Sequence, residues 1–361
     1  MNKELIISLI RNVIKNGSFE VEENIDEDTL RVLKEQTFMP FLQYSSKKEE
    51  YKKYYLSSFL LHEQFLKIKN IITSTFNQAH IDHVYLKGIV LENIYPDKNL
   101  RLHGDIDLLV RKNELNKAIS LLKEKGFILD GSEAHHHICL RYNNIEVELH
   151  HSLVASFEKD HAFFKDAFDH IELVNEHEYV LSPTYHFNFL ISHYIRHIIN
   201  GGAGLRELID FYLVLKKYKI DMDEVNVYLY KYKYKKIFET FLSEIEIIFE
   251  EKLYNYEFNE YASSLIDFSL DAGIHGFGLK NNKRDNFNKN HSKHKFKYLF
   301  KTLFIPVSRL FREYPFTKSI ILIPLGYIVR FFYLLTHKKD KLDSFLKEKD
   351  TLDINKYIGL E

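Results

Sequence analysis

The chain has 361 residues, 45% hydrophobic and 28% charged, an ordinary balance for a folded protein with a sizeable core and two or three domains. Its net charge of -1 creates no whole-protein field that argues for or against nucleic acid. The single cysteine, Cys139, excludes a disulfide framework within the chain and points to a reducing, cytoplasmic setting.

Residues 1–80 read as helical. The opening MNKELIISLIRNVIKNG has a short apolar stripe interrupted by Arg11 and stopped by Gly17. That pattern predicts an amphipathic helix and not a secretory leader, which needs a longer apolar run and a small-residue cleavage site. LLHEQFLKIKNIITSTF repeats its apolar residues at helical spacing. The texture then changes. Asp82 to Leu86 is a short strand candidate, broken by Lys87-Gly88, and IVLENIY reads as one or two helical turns. PDKNL, with Pro96, is a loop. Ile106 to Val110 is the second strand. Asn113 can cap a helix running to Lys125, and Gly126 stands where a C′ glycine belongs.

A hairpin follows, with runs His135 to Arg141 and Ile145 to His150 around Asn143-Asn144, residues that tolerate positive φ. A two-residue turn sets Tyr142 opposite Ile145 and Cys139 opposite Glu148. One face then carries Ile138, Leu140, Tyr142, Ile145, Val147 and Leu149, and the other His137, Cys139, Arg141, Glu146, Glu148 and His150. This clean sorting supports the register.

From about residue 180 helices return. Pro183 can open one, LISHYIRHIIN continues it, Asn200 to Gly204 is a loop, and LRELIDFYLVLKKY is strongly amphipathic. Domains are expected at 1–80 (helical), 81–172 (a small mixed sheet), 173–275 (helical), 276–297 (a basic loop) and 298–361 (helical with a polar tail). Ser319 to Leu335 is apolar but near the lower limit of a membrane span and carries Pro324, Gly326 and Arg330. Buried or interfacial helices are expected there rather than a span. No internal repeat and no P-loop glycine pattern is present.

The chemistry concentrates in RLHGDIDLLV, Arg101 to Val110. Alternate strand residues share a face, so Asp105 and Asp107 project together while Ile106 and Leu108 point to the core. Two adjacent carboxylates repel unless a cation lies between them, and hard oxygen ligands at this spacing suit Mg²⁺ or Mn²⁺. Glu148 offers a third acid from a strand able to pair beside the first. His135-His136-His137 with His150-His151 raises the question of zinc, but the strand period splits the triplet across two faces and no four-ligand set follows. Arg206 and Asp210 stand four apart and suit an intrahelical pair.

The ordered set LKG (Leu86 to Gly88), YP (Tyr95-Pro96), Arg101, DIDLLV (Asp105 to Val110), GF (Gly126-Phe127) and VELH (Val147 to His150) resembles a bacterial family of uncharacterised nucleotidyltransferases within the DNA polymerase β-like superfamily. Likeness continues through GLRELIDFY. The resemblance implies an α+β fold: a small mixed-sheet domain flanked by helical N- and C-terminal regions. It implies transfer of a nucleoside monophosphate from an NTP, ATP first among them, to an acceptor hydroxyl. The acceptor, whether small molecule, sugar, peptide, protein or tRNA, is not readable. Asp105, Asp107 and Glu148 are the implied metal ligands and catalytic residues. Lys87, Gly88 and Arg101 are the implied phosphate-binding residues, and His193 and His197, one helical turn apart, are expected to line the nucleotide cleft. One departure stands out: Lys87-Gly88 occupies the place of the superfamily's Gly-Ser or Gly-Gly turn, so the serine that touches a terminal phosphate is missing. A metal-dependent glycosyltransferase also uses Asp-x-Asp, but its larger sheet precedes the motif, whereas a single strand candidate does so here. A degenerate nucleotide-binding or scaffold protein is the non-enzyme alternative, and retention of all three acids weighs against it.

Overall fold

The computed structural model describes residues 1–20, 24–133, 136–200, 203–273, 310, 314 and 322–337. The expected basic loop at 276–297, and most of the segment at 298–361, lie outside them. Helix α1 (Lys3–Asn16) is capped by the Asn2 side chain, which accepts from the Leu5 amide, and Gly17 closes it at φ 69°. Asp26 caps α2 (Glu27–Glu35) through the Thr29 amide. Helix α3 (Lys48–Gln78) is the longest described.

The sheet then begins with β1 (His83–Tyr85), the short α4 (Gly88–Leu91), β2 (Asp105–Val110) and α5 (Leu115–Glu124). Glu114, not Asn113, stands at the N-cap of α5 and makes no side-chain cap bond; Gly126 takes φ 93° as expected just past its end. Strands β3 (Ile128–Glu133), β4 (His137–Tyr142) and β5 (Ile145–His150) follow. The hairpin register is as expected, Tyr142 opposite Ile145 and Cys139 opposite Glu148, with Asn143 and Asn144 at φ 47° and 67° in the turn. Strands β6 (Ile171–Asn175) and β7 (Glu178–Leu181) were not legible in the sequence, because β6 is largely exposed at the sheet edge and carries no apolar alternation. The sheet therefore runs on past residue 172. Helices α6 (Pro183–Asn200), α7 (Arg206–Lys217), α8 (Met222–Lys231), α9 (Lys235–Phe249) and α10 (Ala262–Ala272) follow.

The sheet has seven strands in the order β3-β4-β5-β2-β1-β7-β6. Strand β2 lies antiparallel to β1 and parallel to β5, and β7 is parallel to β1. One sheet face buries Ile106, Leu108, Val110, Val147 and Leu149 against Phe65, Ile72 and Phe76 of α3 and Ala118 and Leu122 of α5. A second, larger core joins α1, α2 and α6 to α10 to the opposite side, where Val84, Leu86 and Leu109 enter it. The acids of β2 thus stand on the face shared with Leu109, toward α1, α2 and α6 to α10.

The apolar C-terminal segment appears as α11 (Ile323–His337). Leu325, Ile328 and Phe331 are exposed while Arg330 is buried, so the described side chains of this helix are only partly covered. Among the described residues no helix is long and apolar enough to cross a membrane.

Candidate active site

Parallel pairing places Asp105 beside Glu146 and Asp107 beside Glu148. Neighbours in register share a face, so the third acid arrives next to Asp107 by strand pairing alone. Ligand atoms of Asp107, Glu148 and His150 all lie within 4.8 Å of one another. His150 Nε2 is 3.1 Å from both Asp107 Oδ1 and Glu148 Oε2, and Lys87 Nζ is 2.6 Å from Asp107 Oδ1. Asp105 is outside that tight set but on the same strand face.

Lys87 reaches the acids because the chain turns sharply after β1. The residue sits at φ 47°, ψ -121°, a conformation uncommon for a residue with a side chain and costly unless its surroundings hold it. Gly88 is needed for a different reason. A Cβ there would stand 2.7 Å from His103 Nδ1 and 3.3 Å from Arg101 Nη1. The glycine therefore answers to close approach and not to φ.

Charge divides the two aspartates. The negative charge of Asp107, followed by burial, raises the Asp105 carboxyl above the ordinary range. Burial alone would raise Asp107 too, but Lys87 and His150 outweigh it and hold that carboxyl low. Burial works against the charge on Lys87, yet Asp107, Asp105 and Glu148 together keep its ammonium charged. The cost of crowding these acids is thus concentrated on Asp105.

Arg101 has a different job from the phosphate contact expected of it. It is buried, and its Nε and Nη2 each donate to Asp210 of α7 at 2.8 Å, while Nη1 donates to the Leu102 carbonyl. The Tyr95 hydroxyl donates to the same carboxylate at 2.8 Å. Asp210 is therefore not the helical partner of Arg206. Arg206 instead donates to the Leu102 carbonyl, and its charge acts on Asp105. On α6, the rings of His193 and His197 meet at a tilt of 59°, with centroids 4.3 Å apart. Burial, then the charges of Lys87, His197 and Arg196, push His193 well below the usual imidazole range. Arg196 donates to Ser192 Oγ and acts on His136.

The histidines also depart from expectation. His136 precedes β4, and its ring lies 4.6 Å from that of His137 and 5.4 Å from that of His150, so these three gather on one side. His136, His137 and His150 offer ligand atoms within 4.8 Å of one another. His137 Nε2 approaches Glu148 Oε1 at 3.5 Å. His135 lies outside the described residues. Strand period does not govern His136, because β4 begins at His137.

A mixed sheet that carries Asp-x-Asp on one strand and a third acid beside it on the next, with helices over that face, is the arrangement of a nucleotidyltransferase. Residues 42–249 match a family described as uncharacterised nucleotidyltransferase, and the chain belongs to that family. Among curated proteins, no relative matches the chain.

Proposed function

We propose that the chain transfers a nucleoside monophosphate from an NTP to an acceptor hydroxyl with the help of Mg²⁺ or Mn²⁺. The observation that carries this reading is the placement of Glu148 beside Asp107 by the β2–β5 pairing, with Asp105 on the same face. The donor set fits a divalent cation: carboxylate oxygens suit Mg²⁺ and Mn²⁺, the adjacent imidazole of His150 is better matched to Mn²⁺, and the repulsion that raises Asp105 is what a cation would relieve. Asp105, Asp107 and Glu148 would hold it. When bound, the ion supplies Lewis-acid charge to the attacking and leaving oxygens.

The remaining work belongs to the chain. Glu148 accepts the proton of the acceptor hydroxyl, whose oxygen forms the new bond to the α-phosphorus as the α–β bridging bond breaks and pyrophosphate leaves. Lys87 and Arg206 supply positive charge for the triphosphate, the latter in the part first assigned to Arg101. His150, bonded to both acids, keeps Glu148 and Asp107 oriented. His193 and His197 border the cleft from α6.

The test is incubation of the pure protein, and of the protein with cell extract, with each α-labelled NTP in Mg²⁺ and in Mn²⁺. Label should move to an acceptor and should stay with the nucleotide when Asp107→Asn replaces the native chain. No transfer from any of the four NTPs, or undiminished transfer by Asp107→Asn, would reject the reading.

A further inference from the structure

A second cluster of metal-ligating side chains lies apart from the three acids. His62 of α3, Glu92 in the turn after α4, and His103 in the lead-in to β2 bring ligand atoms within 4.8 Å of one another. All three side chains are buried, at 9%, 2% and 3% exposure. Among the described residues the ion-pair partners of Glu92 are these two histidines, with no lysine or arginine. A buried carboxylate with so little compensation is costly.

We propose that His62, Glu92 and His103 form a site for a divalent transition-metal ion of the Zn²⁺ class. His62 Nδ1 lies 3.3 Å from Glu92 Oε2, yet it makes no hydrogen bond in the structure. Ligand bonds of about 2.0–2.1 Å set neighbouring ligand atoms on a tetrahedral ion roughly 3.3 Å apart, so the contact has the spacing of two ligands without the geometry of a donor and an acceptor. His103 Nε2 is 2.6 Å from the same oxygen and would have to open by about 0.7 Å to reach that spacing around an ion. Two imidazoles and one carboxylate favour a transition metal over Mg²⁺ and leave coordination positions for water.

The site has a structural consequence. It joins three separate segments: the long α3, the turn after α4 and the approach to β2. The second ring nitrogen of His103, Nδ1, lies where a Cβ on Gly88 would be 2.7 Å away. An ion at Nε2 would fix that ring against the Lys87-Gly88 turn. The metal would be a brace behind the turn, separate from any ion held by Asp105, Asp107 and Glu148.

Full-length protein stripped by a chelator and reloaded with Zn²⁺ or Co²⁺ tests this, with bound metal counted by mass spectrometry, the Co²⁺ visible spectrum recorded and the melting temperature measured. The native chain should retain one equivalent of Zn²⁺ that both Glu92→Gln and His62→Asn lose, together with the Zn²⁺-induced rise in melting temperature. His137→Ala, which alters the other histidine cluster, should keep that equivalent. Should Glu92→Gln fail to fold, His62→Asn, at the more accessible ligand, decides alone. A native chain that retains no Zn²⁺, or a His62→Asn chain with unchanged stoichiometry and Co²⁺ spectrum, would overturn the proposal and leave a proton-shared His–Glu–His triad.

Discussion

Lys87 on Asp107 and Arg101 on Asp210 are both cation–carboxylate pairs, with closest contacts of 2.6 and 2.8 Å. They do opposite things. The Arg101 fork makes two parallel bonds to one carboxylate, shares it with the Tyr95 hydroxyl, and ties the loop before β2 to α7. Nothing in that pair is left over for a ligand. The Lys87 ammonium is a point charge among three acids and a histidine, and its partner Asp107 belongs to the set that could hold a cation. A planar guanidinium suits a permanent bidentate tie, whereas a flexible ammonium can exchange one anionic partner for another. The comparison separates charge that supports the site from charge that takes part in it.

The sharpest break should come from the aspartates. Asp107→Asn is expected to abolish transfer and also to destabilise the fold, because it strands Lys87. Removal of one partner from a buried pair costs about 3–5 kcal/mol, and the nearby Asp105 and Glu148 should keep this case at the low end. Asp105→Asn should abolish transfer without that loss. Label-transfer assays beside urea unfolding separate the two; equal destabilisation by both changes would contradict the division of charge described for the pair.

Glu148→Gln should lower turnover on the order of 10²–10⁴-fold while leaving much of the nucleotide binding, since it removes proton acceptance from the acceptor. Single-turnover kinetics with parallel equilibrium binding measures this, and a fully active Glu148→Gln enzyme would remove the third acid from the mechanism.

For the supporting pair, Arg101→Ala should cost about 3–5 kcal/mol in unfolding free energy by leaving Asp210 buried and unpaired. Arg101→Lys should recover only part of it, because a lysine cannot reproduce the two parallel bonds. Where the variant remains folded, its NTP affinity should be near that of the native chain. A large loss of affinity with intact stability would return Arg101 to the phosphate role.

Two smaller effects follow from pH. The folded Asp105 carboxyl is raised, so the metal-free native state binds more protons than the unfolded chain. Its contribution to stability is present below the unfolded carboxyl pKa and is lost as pH rises through the raised folded value. Cation binding must displace that proton, so Mn²⁺ affinity should fall as pH is lowered through the same range, and Asp105→Asn should flatten the metal-free stability profile. Glu244 also has a raised carboxyl. It is fully buried on α9, neither carboxyl oxygen has a hydrogen-bond partner, and burial raises it well above the usual range. Glu244→Leu should stabilise the protein by about 1–3 kcal/mol at neutral pH, the usual scale for removing an unsatisfied buried polar group, whereas Glu244→Gln keeps such a group in place. Thermal unfolding that shows no gain would imply a partner for Glu244 in solution.

The sequence by itself was enough for the parts that rest on local periodicity. Asp105 and Asp107 share a face because alternate strand residues must, and the Asn143-Asn144 turn fixes which residues of β4 and β5 oppose each other. Gly17 and Gly126 end helices by their freedom at positive φ. The tertiary structure alone decided the rest. No local pattern could reveal that Arg101 spends its charge on Asp210, over a hundred residues away, or that Arg206 reaches the Leu102 carbonyl and Glu207 instead. Nor could it show that His62, Glu92 and His103 converge from three segments. Periodicity reports which way a side chain points from its own element, but the partner that meets it is chosen by how the elements pack, and a charge is committed or available only once that partner is known.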